Sequence, residues 1–88
     1  MRIAILALHF AEYASRLALP LAKDNEVLLI LSAHNAEQEL SPEFLQRLRN
    51  TMQLRLIRIP RFRNPKVLRA IADVRRAISA HRPDIVHV

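Results

Sequence analysis

Glycine, cysteine and tryptophan are all absent from this 88-residue chain. The lack of glycine restricts function most. A dinucleotide-binding turn needs glycines so that the backbone can bend sharply after a first strand and approach a pyrophosphate. A P-loop needs them for the same reason, together with a Lys-Ser/Thr pair. Neither chemistry is expected in these residues. The lack of cysteine excludes a disulfide-stapled scaffold and agrees with a reducing compartment. Long apolar runs are also missing. Ile3 to Leu8 and Val27 to Leu31 fall far short of the roughly 20 apolar residues that a membrane-spanning helix needs. Met1-Arg2 leads directly into the first of these runs, without the longer apolar stretch and cleavage site of a signal peptide. A cytoplasmic protein is expected.

What is present describes a small folded unit. Half of the residues are hydrophobic (51%) and a quarter are charged (25%), which excludes a disordered tail. A domain of this size buries only about 60% of the surface its unfolded chain exposes, so marginal stability is expected.

Four short apolar runs alternate with helical patterns. Arg2 to Leu8 and Glu26 to Ser32 are nearly continuous in apolar residues, as in strands buried on both faces. Leu54 to Ile59 mixes in two arginines and reads as a strand nearer the edge. Asp84 to Val88 is the fourth run. Between the first two strands Ala14, Leu17, Ala18 and Leu21 recur at helical spacing, with Pro20 late enough to kink or shorten the last turn. Ser41-Pro42-Glu43 supplies an N-cap, a proline at the first helical position and an acid in the first turn, ahead of Phe44, Leu45 and Leu48. Asn64-Pro65 reads as a second cap and proline pair before Val67, Ile71, Val74 and Ile78, with an Arg69–Asp73 pair on the polar face.

This alternation predicts an α/β fold with a parallel sheet. If the last helix crosses to the opposite face, the four strands take the order 3-2-1-4, giving a partial Rossmann-like three-layer α/β/α arrangement. Ligands of such folds bind beyond the carboxyl ends of the strands at the switch point, here between strands one and four. The loops at that edge would be His9 to Tyr13, Ser32 to Asn35 and Pro60 to Asn64. Arg82-Pro83-Asp84-Ile85-Val86-His87-Val88 reads as a helix exit running into a buried parallel strand. Such a strand needs a crossover and further strands after it. Residues 1–88 are therefore expected to be a single incomplete domain at the start of a longer protein.

Charge divides unevenly. Residues 47–82 hold eleven basic residues and one acid, Asp73, for a net +10, whereas residues 1–46 carry −3. Arg61 and Arg63 flank Phe62 at the binding edge, where they could hold a phosphate, a carboxylated sugar or an anionic lipid head group. A solvated basic surface is the plainer reading. Of the histidines, His9 and His34 follow strands at that edge, His81 ends the last helix and suits its dipole, and His87 reads as a structural residue of the sheet face. No histidine pair has metal-ligand spacing with a third ligand, and no metal or cofactor is expected. The acidic cluster of a receiver-like phosphorylation domain is also lacking: strand one ends on His9-Phe10-Ala11-Glu12 and strand three on Arg58-Ile59-Pro60.

Arg82-Pro83-Asp84-Ile85-Val86-His87 resembles the R-P-D-hydrophobic-hydrophobic-H segment in the N-terminal half of family-4 glycosyltransferases. Met1-Arg2-Ile3-Ala4-Ile5-Leu6, the helix Ala14 to Leu21 and Glu26-Val27-Leu28-Leu29-Ile30 follow in the corresponding order, so the resemblance covers nearly the whole chain. It implies a GT-B enzyme of two facing Rossmann-like domains, the first binding the acceptor and the second, absent here, holding a nucleotide-sugar donor. Transfer would proceed with retention of configuration, and the 88 residues alone would be inactive. Many members carry a glycine-rich loop after the first strand; here His9-Phe10-Ala11-Glu12-Tyr13 stands in its place. The resemblance implies an acceptor rim of His9, Phe10, Glu12, Tyr13, His34, Arg61 and Arg63, with no catalytic residue among them. The acceptor would be a sugar, a lipid-linked molecule or a small molecule. The basic half would allow peripheral membrane contact, and the strand at 84–88 would allow self-association. The alternative is a free-standing basic module that binds nucleic acid or an acidic partner.

Overall fold

The computed structural model describes residues 1–59 and 65–88. The expected Asn64 cap and the arginines Arg61 and Arg63 lie outside them. The elements in chain order are β1 (Arg2–Ala7), α1 (Ala11–Leu21), β2 (Glu26–Ser32), α2 (Ala33–Glu39), α3 (Pro42–Thr51), β3 (Gln53–Ile57), α4 (Lys66–His81) and β4 (Ile85–His87). The strands form one parallel sheet in the order β3-β2-β1-β4, the order expected from the alternation.

Residue parity assigns the two faces. Successive strand side chains point to opposite sides, and Ile3, Ile5, Val27, Leu29 and Leu31 pack with Ala11, Ala14, Ala18, Ala36 and Leu48 of α1, α2 and α3. Ala4, Leu28, Ile30 and Ile57 face the other way, onto Ala70 and Ala77 of α4. The near-continuous apolar runs follow from this double coverage. β3 is at the edge, and its alternating exposure places Gln53 and Arg55 in solvent.

The helix ends carry their own chemistry. Ser41 caps α3 by accepting a hydrogen bond from the Phe44 N–H at 3.2 Å, with Pro42 in the first turn. Pro20 lies inside α1, which ends just beyond it with the Ala22 N–H donating to the Ala18 carbonyl. α2 was not foreseen. The stretch read as a loop from Ser32 to Asn35 is instead the direct passage of β2 into a short helix, anchored by buried Ala33 and Ala36. His81 is buried, and its Nε2 lies 3.1 Å from the Glu26 carbonyl at the start of β2, so it does more than complement a helix end. Arg69 and Asp73 form no ion pair among the described residues; those present are Arg2–Glu26, Arg16–Glu12 and Arg58–Glu37.

The segment Arg82-Pro83-Asp84 is a defined connector. Arg82 stands in the left-handed region (φ 50°, ψ 59°) after α4, with its N–H donating to the Ile78 and Ser79 carbonyls. Pro83 cannot continue the helix. Asp84 then clamps the start of β1: its Oδ2 accepts from the Arg2 N–H at 2.9 Å, and its own N–H donates to the Arg2 carbonyl at 2.7 Å. This two-way contact sets the register in which Ile85 opposes Ile3 and His87 opposes Ile5.

Candidate functional site

At the carboxyl edge of the sheet, between β1 and β4 and against the first turns of α1, lies an open groove of about 400 Å³. Its floor is Ile5 and Ala7 of β1 together with Ala14 of α1. Its walls are Phe10, Tyr13 and Leu17, and His9, His87 and Val88 stand at its ends. α1, which leaves β1, and α4, which leads into β4, pack on opposite faces of the sheet, so the strand order reverses at this point.

Phe10 is the most unusual residue here. It sits at the N-cap of α1 with φ 57° and ψ 52°, the left-handed region that glycine normally occupies, and the residue is 75% exposed. Tyr13, one turn along, is 72% exposed. Two large rings are thus held out of the core at the rim of a concave apolar surface, one of them on a backbone conformation that a Cβ penalises by about 1–2 kcal/mol.

Phe10 offers no side-chain cap to α1. The cap comes from α2: the Glu12 N–H donates to Glu39 Oε1 at 3.3 Å, and Asn35 Nδ2 donates to the second oxygen of that carboxylate at 3.4 Å. A helix N-terminus favours an anion, and in this chain Glu39 supplies it. The place where a bound phosphate would sit in a dinucleotide fold is therefore taken by the protein's own carboxylate.

Of the residues expected at the rim, His9, Phe10 and Tyr13 come together in the groove. Glu12 points away, paired with Arg16 across one helical turn at 3.1 Å. His34 is exposed in the first turn of α2 and does not line the groove. Arg61 and Arg63 fall outside the described residues. The structure adds Leu17, Val88 and His87. The last corrects the reading of His87 as a structural histidine of the sheet face: it is exposed, at the groove's end, in a strand only three residues long. Its two apolar neighbours in sequence made it look buried. The signal that could have found it was the position of β4 beside β1, which the alternation already implied. Among the described residues no cluster of three or more His, Asp or Glu side chains could hold a metal.

No family model matches the chain, and no curated protein and no solved structure matches it.

Proposed function

We propose that this chain is the acceptor-side half of a GT-B glycosyltransferase, in which the groove between β1, β4 and α1 receives the acceptor and a second domain beyond these residues carries the nucleotide-sugar donor. The observation that carries the reading is the groove itself: an aromatic-walled, histidine-flanked concavity at the switch point of a partial Rossmann-like sheet. Sugar rings present an apolar C–H face and a polar rim. Phe10 and Tyr13 offer flat surfaces to the first, and His9 and His87 offer hydrogen-bonding nitrogens to the second.

Two further features support it. The segment that carries the family resemblance, Arg82 to His87, has a concrete job here: its left-handed turn and the Asp84 clamp bring His87 to the groove's end. The α1 N-terminus, already capped by Glu39 behind a glycine-free turn, leaves the donor diphosphate to the other domain. Transfer would then rely on electrostatic stabilisation of the departing diphosphate from that side.

The test is transfer by the protein encoded by the whole reading frame, assayed with a panel of nucleotide sugars against simple glycoside acceptors. Phe10→Ala and Tyr13→Ala should each raise the acceptor KM about tenfold, the loss expected for one stacked ring, and leave the donor KM unchanged. A frame that closes directly after Val88 contradicts the reading. So does an enzyme in which these variants shift only the donor KM.

A further inference from the structure

Among the described residues the second face of the sheet is covered by α4 alone, and the cover is incomplete. Beside that helix an apolar cleft of about 340 Å³ stays open, with Leu6, Leu8, Ile57 and Ile59 on the sheet side and Ile71 on the helix side. The apolar surface continues outward. Leu68 is 72% exposed and Ile71 51% exposed, one helical turn apart, and Ile59 is also exposed.

The same outer face is strongly basic. With 3.6 residues per turn, Ile71, Arg75, Leu68, Arg76 and Arg69 fall within about 160° of the helix circumference. All five are exposed. None of the three arginines is in an ion pair among the described residues. The one acid of α4, Asp73, lies outside that arc. Arg55 of β3 projects on the same side of the sheet, beside Ala77 and Ala80.

Large aliphatic side chains set among arginines that form no ion pair among the described residues are the pattern of a helix that lies in a bilayer interface. Apolar groups enter the acyl boundary while the cations meet anionic head groups. A single-stranded nucleic acid would be met by the same charges, but it stacks on aromatic rings, and among the described residues this face carries none. We propose that the outer face of α4 docks onto an anionic lipid bilayer, with Leu68 and Ile71 inserted and Arg69, Arg75 and Arg76 against the head groups. No helix among the described residues is long and apolar enough to cross a membrane, so the contact is peripheral. It is independent of glycosyl transfer, because it uses the opposite face of the sheet from α1 and needs no donor.

Vesicle co-sedimentation of the full chain tests this, with phosphatidylcholine vesicles compared with vesicles containing one quarter phosphatidylglycerol. Binding to the anionic vesicles alone is expected. Arg75→Gln with Arg76→Gln should weaken it about thirtyfold, from about 1 kcal/mol per basic residue at a charged surface. Leu68→Gln, at a position exposed enough to leave the fold intact, should weaken it several-fold. Three results would each overturn the proposal: no binding to either vesicle; binding that the double arginine variant weakens while Leu68→Gln leaves it unchanged, which is charge attraction without docking; or capture of a single-stranded RNA in preference to vesicles.

Discussion

Phe10 concentrates the conflict between local preference and site geometry in a single residue. An aromatic in the left-handed region with its ring in solvent gains little from packing, and strain of this kind gathers at functional sites. The sequence made His9 to Tyr13 visible as a glycine-free, bulky replacement for a tight turn. It could not reveal the positive φ, because nothing in a Phe residue announces it. Phe10→Gly should be more stable than Phe10→Ala by about 1 kcal/mol, since both remove the ring and only alanine keeps the Cβ that the left-handed backbone penalises. Equal denaturation midpoints for the two variants would mean that the backbone at residue 10 is not held left-handed. Asp84 makes the opposite case, a residue whose role is entirely in its contacts. Asp84→Ala deletes the acceptor for the Arg2 N–H and should lower stability by about 1 kcal/mol, read by urea unfolding. An unchanged midpoint would remove the clamp from the account.

Among the elements, those with strong periodicity or explicit start signals were legible, and the short α2 was not. Ser41-Pro42-Glu43 announced α3, and its cap forms as its residues imply. Ser41→Ala should therefore cost about 1 kcal/mol in thermal or denaturant unfolding. α2 escaped notice because its buried positions are Ala33 and Ala36, too small to produce an apolar stripe, and because it follows β2 without a loop. Its role is also non-local, since Glu39 reaches back to cap α1. Glu39→Ala should destabilise by about 1 kcal/mol and speed hydrogen exchange at the Glu12 amide. Protection at that amide equal to the parent's would show that the α1 N-terminus does not depend on the carboxylate.

For the whole molecule, the strand order was legible because double-sided burial, edge arginines and strand–helix alternation all constrain the same arrangement. Which side chains would line the groove was only half legible. His9, Phe10 and Tyr13 followed from their place after β1, whereas His87 and Leu17 depended on how a three-residue strand and a helix face meet in space. Among the described residues the order β3-β2-β1-β4 leaves the outer edge of β4 without a partner strand, beside exposed Ile85, Val86 and Val88. Open strand edges of this kind promote association. Sedimentation velocity of residues 1–88 by themselves should therefore show a concentration-dependent rise in apparent mass, and a monomer across the accessible concentration range would count against it.

On the proposed function, the groove between β1, β4 and α1 binds an acceptor and not the nucleotide donor. Backbone-amide NMR of the 88-residue chain, titrated separately with simple alkyl and aryl glycosides and with a nucleoside diphosphate sugar, tests it most directly. Glycoside-induced shifts confined to residues 8–17 and 86–88, weakened in Tyr13→Ala, and no response to the nucleotide sugar are expected. Nucleotide-induced shifts at the start of α1, or glycoside shifts mapping to β3 and α4 instead, would contradict it.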